Sequence, residues 1–155
     1  MKALVDENMS PALARSLNAL FAGEHEIVHI REKFGPGVKD VAWIGQLSAQ
    51  GRWIVISGDR RITRNKAEYA AFRSSRLVGF FLSKGLYKAP VVKQMERLLT
   101  LWSTIEKQSE IVAGGAMFEL PMKSTRESLR IEPCIGSRLT RPPAATQGGR
   151  PCPAL

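Results

Sequence analysis

Four short apolar runs, each followed by a stretch of helical character, constrain this chain more than any other feature. They are Ala3 to Val5, "EIVHI" ending at Ile30, "WIVIS" ending at Ser57 and "LVGFFLS" ending at Ser83. The runs are continuous rather than alternating, so each strand buries both faces. Strands of that kind, separated by helices, predict a parallel sheet covered on both sides. Right-handed crossovers are close to obligatory in such a sheet. The expected order is βαβαβαβα, with "GAMFEL" as a last short strand.

The helices carry their own punctuation. "SPALARSLNALFAG" opens with Ser10 at the cap and Pro11 at the first helical position, and Gly23 stops it. "REKFGPGVK" reads as a loop of nine residues, with Gly35-Pro36-Gly37 as breakers. "DVAWIGQLSAQG" reads as a helix capped by Asp40, with Val41, Ile44, Leu47 and Ser48 on its inner face. "ITRNKAEYAAFRSSR" is a less regular third helix. "APVVKQMERLLTLWSTIEKQ" is a long amphipathic one, with Val92, Met95, Leu98, Leu99 and Trp102 expected inward. Trp43, Trp53 and Trp102 read as core residues.

The 155 residues fit one domain and a tail. The 1–120 stretch holds every strand and helix signal. From Pro121 the composition shifts to Pro, Gly and Ala, as in "RPPAATQGGRPCPAL", and residues 121–155 read as a basic, flexible C-terminal extension. No run approaches the ~20 apolar residues that span a membrane. The N-terminus lacks a secretory pattern. Cys134 and Cys152 form no disulfide framework, so the expected compartment is the reducing cytoplasm. Lys and Arg number 23 against 14 Asp and Glu, a net of +9. A basic protein favours anionic partners, nucleic acid first among them.

Ligands of a parallel sheet sit beyond the carboxyl ends of its strands. Asp6 ends the first strand, Asp59 lies just past the third, and Asp40 opens the helix after the second. Glu7, Asn8 and Ser57 stand beside them. Three carboxylates gathered in a cleft repel one another. A divalent cation with a taste for oxygen ligands, Mg²⁺ or Mn²⁺, relieves that repulsion and activates water against a phosphate. Each acid also has a structural reading. Asp40 is a good helix cap, Asp59 can cap or turn, and Glu7 can be a surface residue. His25 and His29, spaced by four around a strand, do not converge on one metal.

"LVDEN-SP-LA--LN", "H-IVHI", "D--WI--L---G" and "VISGDRRI", in that order and spacing, resemble the short PIN-like domains of bacteria and archaea related to VapC-type toxin ribonucleases. The resemblance covers roughly residues 1–85. It implies a three-layer α/β/α sandwich around a parallel sheet of four to five strands. It also implies RNA cleavage with Mg²⁺ or Mn²⁺ held by acids at Asp6, Asp40 and Asp59. A toxin of this type implies a small cognate antitoxin and a homodimer. Fuller sites of the family carry a fourth acid, and similar short domains often carry one two residues past Asp59, where this chain has Arg61. Under this reading Arg60, Arg61, Arg64 and Lys66 meet RNA phosphates.

Two rivals remain at the level of sequence. A PIN-like module that binds nucleic acid or a partner without catalysis is favoured by Arg61 and the basic tail. A phosphoacceptor receiver domain also wants an Asp-Glu pair after strand one and an Asp after strand three, but its lysine follows a fifth strand, and Lys84 follows the fourth. No Gly-rich phosphate loop is present.

Overall fold

The computed structural model describes residues 1–123. Five strands form one sheet: β1 (Lys2–Val5), β2 (Glu26–His29), β3 (Ile54–Ser57), β4 (Val78–Leu82) and β5 (Met117–Leu120). All pairings are parallel, and the order across the sheet is β2-β1-β3-β4-β5. Alternate residues of each strand enter opposite layers. Val5, Ile56 and Phe80 pack with Leu13 and Leu17 and with Leu98, Trp102 and Ile105. Leu4, Val55 and Phe81 pack on the other face with Trp43, Ile44, Leu47 and Phe72. The result is the expected α/β/α sandwich.

The layers are built by α1 (Pro11–Leu20) and α6 (Val91–Ile111) on one face, and by α3 (Asp40–Ala49) and α4 (Lys66–Arg73) on the other. Two further helices are short: α2 (Ile30–Phe34) and α5 (Lys84–Tyr87). Ser10 caps α1 through its backbone carbonyl, with Pro11 first in the helix.

Several local expectations need correction. The nine-residue loop begins as helix α2, capped by the His29 ring and closed by Gly35 at φ 82°. A helix of five residues is too short to show a period. Asp40 does not cap α3: Lys39 holds that position, and Asp40 is the first helical residue. The third helix splits into a 3-10 turn, Arg61–Thr63, and α4, which Asn65 rather than Asp59 caps by accepting from Ala67 N and Glu68 N.

Val41, Val92 and Leu99 are exposed rather than inward. In α3 the inward place goes to Trp43. In α6 the inner stripe runs Gln94, Arg97, Leu98, Leu101, Trp102 and Ile105. Polar members occupy that stripe because they meet backbone carbonyls: Gln94 Nε2 donates to Tyr87 O and Ala89 O, and Arg97 Nε to Pro121 O. A search for apolar residues alone finds Leu98 and Trp102 but misses the polar members of the stripe. The expected flexible extension falls almost wholly on residues 124–155, outside the described residues.

Candidate active site

In a sheet ordered 2-1-3-4-5 the strand order reverses between β1 and β3, and a crevice opens there at the carboxyl edge. Asp6 directly follows β1, and β3 ends on Ser57, two residues before Asp59. A cleft of about 310 Å³ lies at this point, lined by Asp6, Glu7, Asn8, Asp40, Ser57 and Asp59. Trp43, Val55, Ile62 and Phe81 supply its apolar walls, and Arg61 borders it.

Asp6 is the most constrained side chain in the cleft. Its Oδ1 accepts from Glu7 N at 2.7 Å. Its Oδ2 accepts from Asn8 Nδ2 at 2.8 Å and from the Ser57 hydroxyl at 2.7 Å. Asn8 turns its carbonyl oxygen the other way and accepts from Gly58 N at 2.9 Å. One side chain therefore ties the loop after β1 to the loop after β3. Gly58 must be glycine for a steric reason, since a Cβ there would lie 2.1 Å from the Tyr87 ring. Behind Asp6, His29 is buried and bridges through both ring nitrogens. Nε2 meets Met9 O at 3.1 Å, and Nδ1 accepts from Arg31 N at 3.3 Å. His25 instead pairs with Glu106, at the far end of the same strand.

Burial pushes the Asp6 carboxyl above the usual carboxylate range, and the negative charge of Asp40 adds to the rise. The hydrogen bonds from Ser57, Glu7 N and Asn8 pull the other way without cancelling it. Asp40 is positioned by its own helix: Trp43 Nε1, one turn on, donates to Asp40 Oδ1 at 2.9 Å. Trp43 is thus a core residue whose one polar atom serves the cleft.

Asp59 is placed differently. Its carboxylate forms an ion pair with Arg61, whose side chain is 83 % exposed. Its backbone N donates to Ser57 Oγ. Arg60 pairs with Glu119 on β5. Arg64 and Lys66 are exposed. Glu7 pairs with Arg31 at the surface. Lys84 opens α5 and does not line the cleft.

Sequence reasoning passed over Glu68. It projects from the first turn of α4, where Asn65 Nδ2 donates to it at 2.8 Å. The neighbouring Asp40 carboxylate also acts on it electrostatically. Desolvation first, and then the Asp40 charge, raise its carboxyl above the ordinary range. The only signal available was the spacing N-x-x-E, which reads as a capping box and conceals the second contact.

The donors are hard oxygens, the type Mg²⁺ and Mn²⁺ take. Among the described residues no three acidic, His or Cys side chains are placed to hold one ion together. They fit an ion that takes one or two carboxylates and keeps its waters, which is the habit of Mg²⁺. The raised Asp6 carboxyl marks negative charge that no protein cation offsets.

A parallel α/β sandwich with acids gathered at its switch point defines the class. The profile of the PIN like domain matches residues 1–84, more than half of the chain. The chain belongs to the PIN-like domain family. No curated protein and no solved structure shows significant similarity to it. Among the described residues no helix is long and apolar enough to cross a membrane.

Proposed function

We propose that this protein is a Mg²⁺- or Mn²⁺-dependent ribonuclease that hydrolyses RNA phosphodiester bonds in the cleft between β1 and β3. The observation that carries the reading is the treatment of Asp6. A carboxylate at the switch point is held by three donors, yet burial and Asp40 leave its charge poorly compensated. A divalent ion held by Asp6 and Asp40 would supply the missing positive charge, offset that of a phosphate and lower the pKa of a water.

The chain's own residues do the rest. Ser57 and Asn8 fix the rotamer of Asp6, Trp43 fixes Asp40, and the walls of Trp43, Val55 and Phe81 limit water. Arg61, which among the described residues is anchored by Asp59 alone, is long and exposed enough to turn to a phosphate. Hydrolysis joins a water oxygen to phosphorus and releases the ribose oxygen.

The test is RNA cleavage by the purified chain with Mg²⁺ or Mn²⁺, with chelator as control. Asp6→Asn is expected to lose at least about a hundredfold in rate while keeping its circular dichroism spectrum. Equal cleavage by the variant would trace the activity to another enzyme.

The ion pair between Asp59 and Arg61 favours a second reading, a PIN-like module that binds RNA without cutting it. Metal-independent RNA binding by wild type, with no cleavage at any metal concentration, would select that reading.

A further inference from the structure

At the amino edge of the sheet, the pole opposite the acidic cleft, lies a second cavity of about 330 Å³. It is lined by Arg52, Arg73, Ser74, Ser75, Arg76 and Gly114. Three of its six residues are arginines and none is acidic. Arg52 and Arg76 stand two residues ahead of β3 and β4, and Arg73 ends α4. Six strand steps from Arg52 to Gly58, at about 3.3 Å each, put the two sites roughly 20 Å apart.

The walls of this cavity are built by close backbone approach. Gly115 has φ 80°, and a Cβ there would lie 2.2 Å from Arg73 O. A Cβ on Gly114 would lie 2.5 Å from Ser75 O. The glycine pair lets the turn before β5 press against the turn before β4. The contact is stitched by Gly115 N, which donates to Leu77 O at 2.7 Å. The same turn holds two guanidinium groups. Arg73 Nη1 donates to Gly115 O at 2.8 Å, and Arg52 Nη2 donates to Val112 O. A guanidinium has five N–H donors, so each retains capacity. Among the described residues the Arg76 side chain has no hydrogen-bond or ion-pair partner; only its backbone N is engaged, by Ser48.

The structural explanation for these cations is compensation of helix ends. α3, α4 and α6 all finish at this pole, each presenting roughly half a negative charge. Three such ends amount to about −1.5 against three full positive charges, so a surplus remains. Arg52 also borders a neighbouring cavity with Glu106 and Glu110, which leaves Arg73 and Arg76 as its principal source.

We propose that this arginine pocket binds a phosphate group, presented by a single-stranded RNA or as free phosphate. Planar guanidinium forks held in place by backbone carbonyls suit a tetrahedral oxyanion. The site stands apart from the acidic cleft and does not rest on the ribonuclease reading. The experiment is a ¹⁵N NMR titration of the full chain in chelator. The probes are inorganic phosphate and, separately, an oligouridylate.

Saturable shifts are expected at the Gly114 amide and at the Nε signals of Arg73 and Arg76. Arg76→Gln leaves the walls intact and is expected to weaken binding about tenfold. Shifts with the oligouridylate alone assign the site to a strand, and shifts with inorganic phosphate alone assign it to a small phosphate. Either result supports the pocket. Absence of saturable shifts at these residues with both probes overturns it, as does unchanged affinity in Arg76→Gln with Arg73→Gln also unchanged.

Discussion

Asp6 carries an electrostatic cost that its three hydrogen bonds do not remove, and that cost has a sign that can be measured. Its folded-state carboxyl titrates above the usual range, chiefly through burial. Below about pH 3.9, where the unfolded carboxyl is also protonated, the group costs nothing. As pH rises through that value the unfolded state ionises first. Stability is then lost until the pH passes the raised folded value. Melting curves in chelator should therefore show wild type losing stability over this window relative to Asp6→Asn. Parallel curves for the two proteins would refute the assignment. Arg61 offers a second handle at the same scale. Its ion pair with Asp59 places a cation against a carboxylate of the cleft. Arg61→Ala should free the Asp59 carboxylate, so Mn²⁺ should raise the melting temperature more in the variant than in wild type. A smaller rise would mean that Arg61 supports the site rather than masks it. Asp6, Asp40 and Asp59 were legible because strand ends and helix starts punctuate the sequence. Glu68 was not, because its approach to Asp40 joins α3 to α4 and leaves no local spacing to read; the Trp43 donor, one turn from Asp40 in α3, was hidden by the reading of Trp43 as core.

At the scale of elements, the turn after β3 depends on α5. The Tyr87 ring occupies the space a side chain at Gly58 would need, and the Met9 sulfur closes the remainder at 3.0 Å. Gly58→Ala should destabilise the protein by about 1–3 kcal/mol through overpacking. Denaturant unfolding would show this as a lower midpoint at unchanged slope. A neutral substitution would mean that Tyr87 moves aside freely, and the turn that carries Asp59 is then not rigidly backed. The strands were readable from sequence because they centre on apolar residues buried on both faces, most completely in β4, all five residues of which are buried. The short helices α2 and α5, with five and four residues, were not, since neither completes two turns. Gln94 and Arg97 misdirected the reading of α6 because their burial depends on carbonyls from distant turns.

At the scale of the molecule, the two cavities at the poles of the sheet differ in the charges that line them. Among the described residues the acidic cleft lies at the carboxyl edge and the arginine-lined cavity at the amino edge, and composition alone gave only the net excess of cations. The layers are unequal in another respect. Every residue that lines the acidic cleft lies between Asp6 and Phe81, inside the matched family region. The cover over one face of the sheet arrives much later, in Leu98, Leu101, Trp102 and Ile105 of α6. During synthesis the chain thus emerges with its acidic cleft encoded and one flank still bare. A nascent chain paused near residue 84 presents Ile56, Phe80 and Leu82 to water, a sticky surface of the kind chaperones recognise. A protein cut to residues 1–84 should accordingly aggregate or unfold without cooperativity, as light scattering and thermal melts would show. A soluble, cooperatively folding fragment would mean that α1 alone can shield that flank. The matched family region ends before the 21-residue helix and the strand that complete the cover of that flank.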